Sequence, residues 1–381
     1  MKDVRRSLVA LSFLHFVNDA NFLLIPTVLP LIAREFNLNY TEIGVLLGCS
    51  TLMTIFFQAP MGYFSDLKGR KYLLAFGFLI LGIGSILSSI ANSYFELLIA
   101  QILLGFGASF YHPLSYAWTS TIYEKKGKVK ALGIQSSMGD FGIFTVFIIN
   151  GYLATIIGWR LPLIIFGSLA LLSSILPIML REYNMDRKRI RTSKLEAGNN
   201  LKKIFALIII QFTLAGAYRI LYGYTSLILT ERGIELMIAN ALVSVLTLSG
   251  IAGSIIMGII MDNYGEERIL AIISIISAVG IAIFGVVMNE ILILIILMIT
   301  GFCIYGIYPG LYSLLSIRIN KKSLGLFYGI LLSIGMLGGT IGTLIAGVLA
   351  DLMGIEVTVY IASAFLVIIF VVMTLELLKR K

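Results

Sequence analysis

Long apolar runs alternate with short polar joints along the whole chain. Twelve such runs stand out, at 7–33, 42–64, 72–91, 94–122, 130–156, 160–180, 203–230, 237–261, 269–288, 291–318, 323–350 and 356–378. Most are about 20 to 28 residues long, the length a helix needs to cross a bilayer. A lipid core leaves backbone polar groups no partner but each other, so runs of this kind predict helices. The expected fold is an all-α membrane protein of twelve transmembrane helices in two six-helix halves. Residues 1–180 form the first half, 181–203 a polar basic linker and 204–381 the second half.

The pattern repeats itself. Gly62, Asp66 and Gly69 in one charged joint fall on Gly258, Asp262 and Gly265 at an offset of 196 (258 minus 62). The same gapless shift places Gly105 on Gly301, Pro113 on Pro309 and Tyr116 on Tyr312. It also places Gly139 and Gly142 on Gly335 and Gly338, Gly151 on Gly347 and Gly158 on Gly354. The chain therefore reads as two tandem copies of one design.

Composition sharpens the picture. Hydrophobic residues make up 59% of the chain and charged residues 13%, where a soluble domain carries about 25% charge. Mean hydropathy is +0.98. The net charge of +9 is distributed as a topology signal. With loops assigned alternately from a cytoplasmic N-terminus, all of the 29 Lys and Arg except Arg34, Arg160, Arg232 and Arg219 fall on the inner side. That asymmetry predicts cytoplasmic N and C termini and excludes nucleic acid as the partner; the basic residues face anionic lipid instead. The basic start resembles a signal peptide. Its apolar run is too long, however, and contains His15, Asn18 and Asp19, so it reads as a retained first helix. Cys49 and Cys303 lie in different halves and predict neither a disulfide nor a metal site.

Ionisable groups inside a membrane helix are costly and mark function. Five are found here: His15, Asp19, His112, Asp140 and Arg219. Helical rise places them roughly 13 to 24 Å from the inner boundary, near the midplane. His15 and Asp19 share a face of the first helix with Phe22 and Pro26. The matching face of the seventh carries Gln211, Ala215, Tyr218 and Tyr222, with Arg219 alongside. Ser109, His112 and Tyr116 stripe the fourth helix, and Tyr305, Tyr308 and Tyr312 the tenth. Each has a plain structural alternative. Asp19 and Arg219 are either a static buried ion pair or a proton-coupling carboxylate and its modulator, and Asp140 is open to the same two readings. His15 either hydrogen-bonds Asp19 or meets a proton or substrate. His112 either satisfies a carbonyl freed by Pro113 or contacts substrate. Asn18 and Gln135 read as interhelical hydrogen-bonding groups or site residues, and the tyrosines as core or cavity wall. His15, Asp19 and His112 could also bind a divalent cation, which the four-residue spacing of the first two permits, but no metal is expected.

The joint Gly62-xxx-Asp66-Leu67-Lys68-Gly69-Arg70-Lys71, between a second and a third membrane helix, resembles the signature loop of the major facilitator superfamily. The resemblance covers the whole chain. Within it, His15 to Asp19, Tyr111-His112-Pro113 and Gln135 to Gly142 resemble the fosmidomycin resistance group of efflux carriers. Leu114 stands where that group often has an acidic residue, and the fifth helix lacks the Gly-Pro-rich motif of drug/proton antiporters. The resemblance implies that the first, fourth, seventh and tenth helices line a central cavity. It implies that Asp66 caps the eleventh helix near Ser323 and pairs with basic residues of the loop, closing the cytoplasmic side. Asp262, with Arg268 nearby, would do the same near Lys130 and Ala131. Without this role, both are turn residues with solvated charges.

Nothing resembles a catalytic site, and no Gly-rich phosphate loop precedes a Lys-Ser/Thr. The expectation is a non-enzymatic secondary transporter, acting as a monomer in the cell membrane and driven by a proton gradient without a cofactor. Its small-molecule substrate would be a drug-like amphiphile or organic anion, exported by alternating access. Proton-coupled uptake of a carboxylate or sugar-like solute is the alternative. A membrane receptor that does not transport is the alternative of another class.

Overall fold

The computed structural model describes residues 2–123, 128–181, 194–319 and 324–379. Among these, twelve helices are long and apolar enough to span a membrane. They are α1 (Asp3–Glu35), α2 (Tyr40–Ser65), α3 (Lys71–Ile90), α4 (Tyr94–Ile122), α5 (Ala131–Ile157) and α6 (Arg160–Met179). They continue as α7 (Ile204–Glu231), α8 (Leu236–Tyr264), α9 (Glu266–Phe284), α10 (Glu290–Arg318), α11 (Gly329–Met353) and α12 (Val357–Leu378). Most of the basic segment 181–203 lies outside the described residues.

Prolines set the breaks in these helices. A proline has no N–H to offer the carbonyl four residues back, and its ring crowds that carbonyl. α1 turns at Leu23 ahead of Pro26, α4 at Ser109 and Phe110 ahead of Pro113, and α6 at Ser174 and Ile175 ahead of Pro177. The break in α4 places His112 in the first turn of its second segment, Tyr111–Ile122. Pro309 has no such effect, and its helix runs unbroken from Glu290 to Arg318.

The 196-residue repeat is written in the backbone. The described residues with positive φ are Asn37, Gly69, Gly158, Gly233, Gly265 and Gly354. They form three pairs at the repeat offset: Asn37 with Gly233, Gly69 with Gly265, and Gly158 with Gly354. Gly69 and Gly265, at φ 90° and 88°, end one helix and start the next in a conformation that side chains resist.

Contacts divide the chain into two units. The first comprises Met1–Leu38, Cys49–Lys188 and Ile234–Ser244; the second comprises Asn39–Gly48, Arg189–Gly233 and Val245–Lys381. The first turns of α2 therefore group with the second unit, and those of α8 with the first. The core of the first unit packs Leu11, Leu14 and Val17 of α1 against Phe78, Tyr111 and Trp118. Its backbones approach closely at glycine: a methyl on Gly105 would fall on the Ser50 carbonyl. In the second unit Gly301 meets the Leu246 carbonyl in the same way. Small residues are what let membrane helices come this near.

The charged joints differ between the units. In the first, Arg70 is buried and donates to Thr121 Oγ1 at 3.0 Å. Gly62 lies against Pro113, and Lys71 sits 5.7 Å from the Tyr72 ring. In the second unit the repeat reverses the sign, with Glu266 and Glu267 in place of Arg70 and Lys71. Ser313 donates to Glu266, and Arg318 lies 3.7 Å from Glu267 and 2.9 Å from Glu376. Asp262 and Arg268 are exposed. Ser323 and the side chains of Asp66 and Lys130 lie outside the described residues, as therefore do the caps expected there.

Candidate functional site

Three of the ionisable groups singled out in the sequence meet in the first unit, and a fourth lies within electrostatic range of them. One turn of α1 separates His15 from Asp19, so both project from one face. His15 Nε2 lies 3.1 Å from Asp19 Oδ2, and His112 Nε2 of α4 lies 3.8 Å from Asp19 Oδ1. The two imidazoles meet edge to face, with centroids 5.2 Å apart. Asn18 donates to Asp19 Oδ1 at 2.8 Å. Asp140 of α5 interacts electrostatically with both Asp19 and His15.

Glycine makes this cluster possible. A methyl on Gly139 of α5 would lie 2.6 Å from His15 Nε2 and 2.7 Å from Asp19 Oδ2. Only a residue without Cβ leaves room for the pair against α5. One turn on, Gly142 meets the Phe16 carbonyl in the same way.

The far side of His15 is fixed. Its Nδ1–H donates to the backbone carbonyl of Gln135 at 2.6 Å. The Gln135 side chain is itself held: Nε2 donates to Tyr111 Oη at 2.9 Å and to Ser115, and Oε1 accepts from Thr119 at 2.7 Å. The Tyr111 hydroxyl in turn donates to the Leu11 carbonyl at 2.7 Å. Sequence reasoning missed the parts of Tyr111, Ser115 and Thr119. The signal was available, because Tyr111 precedes His112 and the three recur at four-residue spacing on one face of α4.

The geometry of His15 dictates its protonation chemistry. A neutral imidazole has one N–H and one lone pair. With Nδ1 donating to Gln135, the lone pair of a neutral ring would face the Asp19 carboxylate at hydrogen-bond distance. That contact is attractive only when a proton sits on Nε2 or on the carboxyl. His15, Asp19 and His112 also present ligand atoms within 4.8 Å of one another. By spacing, they are the described residues a divalent cation would use.

The candidates of the second unit have another character. The rings of Tyr218 and Tyr222 of α7 meet at a tilt, with centroids 4.5 Å apart, and both hydroxyls reach Tyr305 Oη of α10, at 3.3 and 3.0 Å. Tyr222 also reaches Thr247 Oγ1 at 2.6 Å. Tyr222 and Tyr305 are buried, and Gly250 lies against the Tyr305 ring. The hydroxyls of those two meet within the unit, the arrangement the core alternative expects. The Tyr308 and Tyr312 rings lie tilted to each other with centroids 6.2 Å apart, and both are half-buried. Arg219 donates to the Leu47 carbonyl of α2 at 3.0 Å and packs its stem on Gly339.

The comparisons with known proteins agree with this architecture. The family model described as Major Facilitator Superfamily matches residues 11–239 and 207–381. An uncharacterised MFS-type transporter of Methanocaldococcus jannaschii is 22% identical, over 93% of this chain and 93% of its own length. The fosmidomycin resistance protein of Escherichia coli is 24% identical, over 94% of this chain and 89% of its own. A bacterial homologue of the human lysosomal transporter Spinster has the same fold, with a TM-score of 0.85 at 17% identity, covering 97% of this chain and 95% of that one. A multi-pass integral membrane protein, a transporter rather than an enzyme, the chain belongs to the major facilitator superfamily.

Proposed function

We propose that this transporter exports a small drug-like amphiphile across the cell membrane in exchange for protons, as a monomer, by alternating access of its two six-helix halves. The observation that carries the reading is the His15–Asp19 contact with Nδ1 already committed to Gln135. Such a pair holds one proton. When loaded it is an imidazolium beside a carboxylate; when emptied it leaves a net negative charge in a low-dielectric site. The groups that tune it are His112 and Tyr111 on α4 and Asp140 on α5. Proton release favours a solute that presents hydrogen-bond donors or a positive end, and reloading expels it. Proton and solute thus alternate at one site, which is the condition for exchange.

An organic anion is the second reading, and it needs a cation in the site. Arg219 is the residue the sequence nominates, but it is bonded to the Leu47 carbonyl, which favours the amphiphile. The asymmetry of basic residues supports cytoplasmic termini. The name of the Escherichia coli relative also supports export.

The test is purified transporter in sealed vesicles with an internal pH dye, challenged with a panel of amphiphiles and organic acids. An active amphiphile should evoke proton movement opposite in direction to its own, and Asp19→Asn should abolish that movement. PH-dependent transport that survives in Asp19→Asn retires the coupling role. Proton movement in the same direction as the solute establishes the uptake alternative.

A further inference from the structure

The start of α2 is held by a residue 310 positions away. Asp351, near the end of α11, accepts from the backbone N–H of Tyr40 at 2.7 Å through Oδ1. Its Oδ2 accepts from the N–H of Thr41 at 2.8 Å and from the Thr41 hydroxyl. The first N–H groups of a helix have no partner within it and carry partial positive charge, so a carboxylate is well placed there. Beneath this cap the two helices touch with almost nothing between them. A methyl on Gly347 would fall on the Tyr40 carbonyl, and one on Gly44 would lie 2.7 Å from the Thr343 carbonyl. Tyr40 Oη donates to Glu231 at 2.9 Å. These contacts group Asn39–Gly48 with the second unit, although α2 from Cys49 onward belongs to the first.

The helix end has a second cap of its own. Asn39 Oδ1 accepts from the Glu42 N–H at 2.8 Å, and Glu42 Oε2 accepts from the Asn39 N–H at 2.9 Å. This reciprocal pair is a complete capping box. α2 therefore does not need Asp351 to end well. The added carboxylate is exposed, and a solvated bond of this kind breaks and re-forms at little net cost.

The repeat builds the same docking a second time without the charge. The start of α8, Ile234–Ser244, groups with the first unit. There Asn240 donates to the Thr27 carbonyl at 2.7 Å and lies over Gly151. Asn240 and Gly151 correspond to Gly44 and Gly347 at the repeat offset. Asp351 corresponds to Thr155, so the carboxylate latch exists on one arm only.

We propose that Asp351 is a releasable latch: it clamps the first two turns of α2 onto α11 while the outer side is shut, and lets go when that side opens. The proposal rests on the alternating-access reading. The glycine seam makes the contact close, the exposed carboxylate makes it reversible, and the Asn39–Glu42 box keeps the freed helix end satisfied.

The test is thiol labelling in vesicles, which requires no substrate. Cys49→Ala removes one native thiol, and Leu47→Cys places a new one in the seam, where Leu47 is 3% exposed and packs against Gly223. Buried Cys303 remains as an internal reporter of unfolding. A membrane-impermeant maleimide added outside should label position 47 about fivefold faster in Asp351→Ala, the scale set by the net contribution of a hydrogen bond. Cys303 should be unaffected. Asp351→Asn keeps an acceptor but not the charge and should give a smaller rise, of about twofold. Unchanged labelling at position 47 overturns the latch, as does a parallel rise at Cys303, which would make Asp351 a structural cap. In either case substrate-evoked proton movement would remain as the separate test of the transport reading.

Discussion

In the first unit, Gly139 of α5 lies under His15 and Asp19 of α1. In the second, the repeat puts Gly335 of α11 under Gln211 of α7, with Ala215 where Asp19 stands. The next turn is the same in both: Gly142 meets the Phe16 carbonyl, and Gly338 meets the Phe212 carbonyl. The contrast extends through the supporting shell. Tyr111, Ser115, Thr119 and Gln135 correspond to Ile307, Leu311, Leu315 and Leu331, all buried. One scaffold thus exists with a polar filling and with an apolar one. The apolar copy shows that helix packing does not require the polar groups, so their presence in the first unit calls for another reason. Polar residues kept inside a membrane at a cost are the mark of a site.

The comparison breaks most sharply at the glycines. Gly139→Ala drives a methyl into a pair whose ring is pinned on its other side by Gln135, so neither partner can retreat. Proton coupling should fall at least tenfold, and overpacking should destabilise the protein by about 1–3 kcal/mol. Gly335→Ala meets Gln211, a flexible amide able to swing away. It should leave coupling intact at a smaller cost in stability. Dye-reported proton movement and thermal unfolding of both variants measure this. Equal loss of coupling in the two would show that the glycines serve only general packing.

The second break exchanges the fillings. Gln135→Leu alone strands the buried hydroxyls of Thr119 and Ser115, at a cost of about 1–3 kcal/mol for a group left without its partner. Adding Tyr111→Ile, Ser115→Leu and Thr119→Leu copies the second unit, and stability should recover most of that loss. Coupling should not recover, because the shell around His15 remains rebuilt. A fourfold variant that regains stability and coupling together would show that the network serves packing alone.

Much of this was legible in the sequence, and the limits have physical causes. The twelve spans were readable because a bilayer demands long apolar runs. The repeat was readable because close helix approach and positive φ both demand glycine. His15, Asp19, His112 and Asp140 were readable because charge in oil is rare. Whether a buried tyrosine turns its hydroxyl to a cavity or to a neighbour was not, since Tyr222 and Tyr305 look alike under either reading. Nor was Asp351 legible as a partner of Tyr40, because only the folded backbone brings two distant helix ends together. The break in α4 and its absence at Pro309 also depend on packing rather than on proline alone.

The smallest expected effect tests how far the two copies are interchangeable at a single backbone position. Asn37 has φ 52° and its counterpart Gly233 has φ 89°. Asn is among the few residues that enter the left-handed region, at φ near 57°. Asn37 therefore sits close to that minimum, and Asn37→Gly should change stability by less than about 1 kcal/mol. Gly233 lies some 30° further out than that minimum, where a Cβ crowds the backbone although the surroundings leave open space. Gly233→Asn should therefore cost more than Asn37→Gly, on the order of 1–2 kcal/mol. Thermal unfolding of the two single variants decides it, and equal small shifts would mean that the joint after α7 relaxes to the geometry of the joint after α1.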